Sequence, residues 1–304
     1  MDSRFGIRIQ LGLTAPEFRG IQLVLRLPGT YPRNVAVLSV DLAYRSWSDL
    51  GIVVLDRVCT DRPGTEGDLI SCEILASVTS DEDRGCVDAN ILAGRLNHLA
   101  NLRGIRVIML DGPQAWKSRE NGLEHSRVSE RQLNTAAKTG LPGMVKPVTY
   151  RAFAEFCLDV YDALCRRGWS RLDTFSQPGL PPERVVVESY PYAAWKSLGL
   201  KPLPSKRRCK VSDLAEAYEN LRSLIPITTT RPPNHDQLQA IVGGLPGLAL
   251  DEHNAAGARI VGNPPRREGG HWREGFIVLP VAPGPTQGLA GWEPKAFSMN
   301  STTR

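Results

Sequence analysis

Three apolar, β-branched runs in this chain each end in a carboxylate: VAVLSVDLA (35–43) in Asp41, GIRVIMLDGP (104–113) in Asp111 and RVVVESYP (184–191) in Glu188. Runs of this length bounded by turn residues read as strands, and continuous rather than alternating apolarity suits a sheet covered on both faces. An ionised carboxylate beside such a core carries a desolvation penalty, which is tolerated when the acid is hydrogen-bonded, paired or bound to a cation. In open α/β sheets the crevice lies at the carboxyl ends of parallel strands, so acids that end different strands become spatial neighbours. The pattern predicts an α/β fold whose strand-end acids gather at one end of the sheet.

Around these runs the chain supplies the remaining layers. GIVVLDRV (51–58) predicts a strand that forms a hairpin with 35–43, and LISCEILASVT (69–79) a third strand before any helix. A helix is predicted over 87–102, where Ile91, Leu92, Leu96 and Leu99 recur at helical spacing after the acidic DEDRG, and another over 150–168, with Phe153, Phe156, Val160 and Leu164 on one face. The strand at 184–191 turns at Pro191 into a short helical stretch, Ser212 is placed as the N-cap of a helix over 212–225, and 234–250 opens a further helix with Asp236 in its first turn. Within that helix GGLPG (243–247) reads as a bend, and 276–283 as a late strand. The polar, Gly/Pro-punctuated stretch 117–149 is read as a surface-loop insertion with room for one short helix; 1–34 forms a lead-in, 35–283 the main domain and 284–304 a flexible tail.

Composition narrows the chemistry. With 41% hydrophobic and 23% charged residues over 304 positions, the chain has the make-up of a soluble globular domain. It shows no uninterrupted apolar stretch of the kind that marks a secretory leader or membrane span, so no membrane partner is expected and the expected location is cytoplasmic. The six cysteines form no C-x-x-C pair and no cluster with histidine, spacing that does not suggest a structural zinc site and reads as reduced thiols. Oxygen ligands without organised histidine or cysteine instead suit Mg²⁺ or Mn²⁺, with Asp41, Asp111 and Glu188 as metal ligands and Asp236 completing the set. Two such ions about 3.5–4 Å apart activate water and steady a leaving oxygen in phosphodiester cleavage. Taken singly, each acid has an ordinary alternative as a cap, a turn residue or an ion-pair partner.

The blocks VLSVDLAYRSWSDLGIVVLD, VIMLDGPQAW, VVVESYPYAAWKSLGLKPLPSKR, NHDQLQAIVGGL and REGFIVLP, in this order, resemble a domain-of-unknown-function family of predicted nucleases with a ribonuclease H-like fold. The resemblance spans roughly residues 35–280, and its most specific piece is Glu188, Ser189 and Pro191 followed by Ser205-Lys206. It implies a ribonuclease H-like mixed five-stranded sheet flanked by helices. It makes Asp41 the first-strand acid, Asp111 the acid ending the fourth strand, Glu188 the fifth-strand acid and Asp236 the acid of the closing helix, with Lys206 a phosphate or carboxylate contact. Two positions depart from the family pattern: Gln239 stands where D-x-x-D-A would carry a second acid, and Tyr192 replaces an acid after the proline.

The formal charge of +5 is compatible with a polyanionic partner, DNA or RNA. Lys206, Arg207, Arg208 and Lys210, within KRRCK, read either as a phosphate grip or as a solvated basic loop. Trp47, Trp116 and Trp195 are open to base stacking or, more commonly for tryptophan, to burial. Ser189 lacks a nucleophile-elbow context. The leading functional expectation is a metal-dependent nuclease; the alternatives are a non-catalytic nucleic-acid-binding module, motivated by Gln239, and a nucleotide-dependent phosphotransferase, weighed down by the lack of a Gly-rich phosphate loop.

Overall fold

The computed structural model describes residues 35–58, 69–75, 85–173, 184–252, 254–282 and 293–295. The lead-in, Cys59 and all of the tail except 293–295 lie outside them. Strand β1 (Val35–Asp41) and β2 (Gly51–Val58) form the expected antiparallel hairpin, and β3 (Leu69–Ile74) pairs antiparallel with β2. Helix α1 (Ala89–Arg103) follows, then β4 (Val107–Asp111), α2 (Val128–Leu133), α3 (Arg151–Cys165), β5 (Ser170–Arg171) and β6 (Val185–Ser189). The chain continues through α4 (Pro191–Ser197), α5 (Val211–Leu224), β7 (Ile227–Thr229), α6 (His235–Asp251), β8 (Ala258–Val261), β9 (Arg266–Glu268), β10 (His271–Arg273) and β11 (Ile277–Pro280).

The main sheet is mixed and has nine strands among the described residues, ordered β7-β3-β2-β1-β4-β6-β11-β8 with β5 also on β6; β9 and β10 form a separate hairpin. β4 runs parallel to both β1 and β6. This corrects the five-stranded expectation. β11 is the late strand expected at 276–283, while β5, β7 and β8 widen the sheet and, at two to four residues each, are too short to show a period of their own.

Two apolar layers clothe the sheet. Val37, Met109, Val185 and Val187 point toward α6 and α4, whereas Leu38, Val40, Ile108, Leu110 and Val186 meet α1 and α3. Asp88 caps α1, its side chain accepting from the Ile91 amide at 2.8 Å, and Leu92, Ala93, Leu96 and Ala100 form the buried face. Ile91, expected on that face, is exposed. At α5 the capping acceptor is Asp213, which takes the Lys210 amide at 2.8 Å; Ser212 is not the cap.

Helix α6 shows why GGLPG is not a bend: the helix runs unbroken through Pro246. A Cβ on Gly244 would come within 2.7 Å of the Ser39 Cβ and 2.8 Å of Leu55 Cδ1. The glycine lets the helix axis approach the sheet, which outweighs its low helix propensity. Ser39 Oγ donates to the Ala240 carbonyl at 2.7 Å and ties the two elements together.

The 117–149 stretch is also different from its reading as surface loops. Lys117, Ser118, Asn121, Arg127, Ser129, Glu130 and Thr139 are buried. Most of their polarity is consumed internally, although the buried Ser129 hydroxyl has no hydrogen-bond partner among the described residues. Glu274 accepts from the amides of Ser118 and Val128, both at 2.8 Å, and from Asn121 Nδ2 at 2.6 Å, while Glu130 accepts from the amides of Arg127 at 3.0 Å and Thr139 at 3.1 Å. A polar segment can be interior when most of its groups find partners, and periodicity does not reveal such pairing.

Candidate functional site

Asp41 and Asp111 close β1 and β4, and the parallel register sets them directly opposite each other. Both residues keep part of their surface open at the strand ends, although protein surrounds their carboxyl groups. The two carboxyl groups are close enough to interact directly, and burial makes it unfavourable for both to be ionised at once. Burial, then the charges of Asp111 and Asp236, push Asp41 well above the usual carboxylate range, while Lys206 opposes the shift. Burial likewise pushes Asp111 up to about 7; Glu188 adds to that shift and the hydrogen bond from Asp41 works against it. The arrangement is an uncompensated carboxylate pair of the kind that takes up a proton or a cation.

Asp236 reaches this pair because of Gly51. That glycine begins β2 opposite Asp41, and a Cβ there would lie 2.2 Å from the Asp236 carbonyl oxygen. The first turn of α6, capped by the Asn234 side chain on the Gln237 amide at 2.9 Å, thus rests against the end of the hairpin. Both oxygens of Asp236 are engaged: Oδ1 lies 3.1 Å from His235 Nδ1 and Oδ2 takes the Lys206 ammonium. Burial favours the neutral acid, but the His235 and Lys206 contacts outweigh it and hold Asp236 below the ordinary aspartate value. Lys206 also donates to Asp49 Oδ1 at 2.9 Å. Asp49 was not a sequence candidate; it sits in a 3-10 turn, Trp47–Asp49, with no apolar run to single it out.

Glu188 is not part of this group. In the β4–β6 ladder it stands opposite Leu110, whereas Asp111 stands opposite Ser189, so strand alternation turns Glu188 toward the face that carries α1 and α3. There the Arg127 guanidinium grips it through two bonds, Nη1 to Oε2 at 2.7 Å and Nη2 to Oε1 at 2.6 Å, and the Gln114 amide donates to Oε2 at 3.0 Å. Burial pushes the Glu188 carboxyl up, with Arg127 and the Gln114 amide opposing. Its role is to tie the polar segment and the turn after Asp111 to the sheet.

Among the described residues no group of three or more His, Cys, Asp or Glu side chains converges closely enough to hold a metal ion. Asp41 and Asp111 offer adjacent hard oxygen donors and fit a divalent cation; Glu188 is spent on Arg127, and Asp236 fits only if it releases one of its present partners. Gln239 lies away from this role, its Oε1 accepting from Trp195 Nε1 at 2.9 Å. Trp47, Trp116 and Trp195 are all buried, so stacking on bases is not their function in this fold. Arg207, Arg208 and Lys210 are exposed on the segment that follows Lys206. Among the described residues no helix is long and apolar enough to cross a membrane. No protein-family model, no curated protein and no solved structure matches the chain.

Proposed function

We propose that this protein is a Mg²⁺- or Mn²⁺-dependent nuclease built on a ribonuclease H-like core. The core in question is β3-β2-β1-β4-β6, in which β2 alone runs antiparallel to β1 and the central acids end β1 and β4. One observation carries the functional reading: two buried carboxyl groups in register on adjacent parallel strands, with no basic side chain among the described residues hydrogen-bonded directly to either. Repulsion between such groups is relieved by protonation or by a hard divalent cation, and the second is the usual use of paired aspartates in phosphodiester hydrolysis. When bound, the cation supplies Lewis-acid stabilisation of the phosphoryl oxygens and an acidified water.

The chain's own groups have separate tasks. Asp41 and Asp111 hold the cation, and Asp236 closes the third side when its lysine yields. Arg207, Arg208 and Lys210, exposed beside the site, attract the phosphate backbone of DNA or RNA. The test is cleavage of labelled single- and double-stranded DNA and RNA with Mn²⁺ or Mg²⁺ present and with chelator. We expect cleavage by the wild-type chain, and a fall of at least about 10²-fold in Asp41→Asn with the fold intact, the scale on which loss of an electrostatic stabiliser acts. Metal-independent cleavage, or equal rates in Asp41→Asn, contradicts the proposal.

A second reading has its own support: a non-catalytic nucleic-acid-binding module of the same core. Lys206 on Asp236 and the Gln239–Trp195 bond both leave the acid group short of charge. That reading expects salt-sensitive binding through Arg207 and Arg208 with no turnover under any metal.

A further inference from the structure

We propose that Lys206 is the resident counter-ion of the carboxylate site, and that a divalent cation gains Asp236 by displacing it. The inference rests on the metal-dependent reading above. Around the strand ends stand Asp41, Asp111, Asp236 and Asp49, and the ammonium of Lys206 is bonded to two of them, Asp236 and Asp49. Asp236 is itself held at the end of the Asp41 strand, since Gly51 pairs with Asp41 and a Cβ on that glycine would lie 2.2 Å from the Asp236 carbonyl oxygen. A flexible ammonium thus stands at a position of cation demand created by several fixed acids.

The two partners of Asp236 differ in how easily they leave. His235 is adjacent in sequence, its side chain is 15% exposed, and its Nε2 lies 3.0 Å from the Pro204 carbonyl, which pins the ring at the root of the 204–210 segment. Lys206 approaches from solvent: its side chain is 51% exposed and that of Asp49 is 47% exposed, against 9% for Asp236. An ion pair with so much of one partner in water is weak and breaks without unfolding anything. The backbone beneath it stays put, because the Arg208 and Cys209 amides donate to the Ser205 carbonyl at 2.7 and 3.0 Å and close a local turn. Only the side chain has to move. At equal distance a divalent ion has twice the Coulomb attraction of an ammonium for the same carboxylate, which favours the metal in the exchange against the cost of shedding its bound water.

Removing the ammonium should therefore tighten metal binding rather than weaken it, the opposite of what a lysine that only supports the site's structure would do. The experiment is titration of Mn²⁺ into the metal-free full chain at pH 7, read from the free-Mn²⁺ electron paramagnetic resonance signal, for wild type, Lys206→Met, Lys206→Gln and Asp41→Asn. Thermal melts of each variant establish that it is folded. We expect both lysine variants to bind Mn²⁺ about three- to fivefold more tightly than wild type, the worth of a largely exposed ion pair, and Asp41→Asn to lose the site. Binding that is lost in Asp41→Asn but unchanged or weaker in both lysine variants overturns the counter-ion role alone. Absence of Asp41-dependent binding in wild type and lysine variants alike overturns the metal reading together with it.

Discussion

Asp41 and Asp111 stand across one ladder rung, where burial and the charges of neighbouring acids push both carboxyls above the usual aspartate range. A carboxyl whose pKa is higher in the folded chain than in the unfolded one binds its proton more readily when folded, so stability falls as pH rises between the two values. For Asp111 that window runs from the ordinary aspartate value, 3.8, to about 7. In chelator, the wild-type melting temperature should decline across this window, and Asp111→Asn should decline less and melt higher at pH 7.5. The gain should be about 2–4 °C for each 1 kcal/mol of repulsion removed. A variant that melts lower than wild type at pH 7.5 contradicts the account. Both aspartates were legible in the sequence because each ends an apolar run. Glu188 carries the same signature, but the register that sets it opposite Leu110 is a property of strand pairing, which one strand's sequence does not contain. Its partner Arg127 lies 61 residues away, and Asp49 has no local mark at all.

At the scale of elements, the site depends on how closely α6 approaches β1 and β2. Gly51 admits the Asp236 backbone and Gly244 admits Ser39 and Leu55, so small residues at two contact points set the depth of the helix and bring Asp236 to Asp41. Helix α1 provides the control. A Cβ on Gly94 would meet nothing nearer than Arg167 Nη2 at 3.6 Å. Gly94→Ala should stabilise by up to about 1 kcal/mol through helix propensity. Gly244→Ala should lose about 1–2 kcal/mol, since overpacking of about 1–3 kcal/mol exceeds the helical gain. Chemical denaturation of the two variants measures both, and a stabilised Gly244→Ala would show that the helix has room to spare. The helices were legible from apolar spacing, including α3 with Phe156, Val160 and Leu164 on its buried face. GGLPG was read by propensity as a bend because close contact with a sheet is a tertiary cause. The polar segment around Arg127 and Glu130 was read as surface because mutual satisfaction of buried polar groups leaves no periodic trace.

Over the whole molecule, charge is arranged asymmetrically about the carboxyl ends of the central strands. Acids from β1, β4, the turn after β1 and the start of α6 lie around that end without three of them converging closely enough to hold a metal ion among the described residues, and the basic segment 206–210 leads on toward α5. The mixed α/β architecture followed from three acid-ended apolar runs separated by helical stretches; the sheet's breadth did not, because its added strands are short and pair at long range. The most direct test of the central claim is anomalous diffraction from crystals soaked in Mn²⁺ at pH 7.5. The account predicts one strong peak at coordination distance, about 2.0–2.3 Å, from carboxylate oxygens of both Asp41 and Asp111. A map with no peak at that pair, or with Mn²⁺ held only elsewhere, would contradict it.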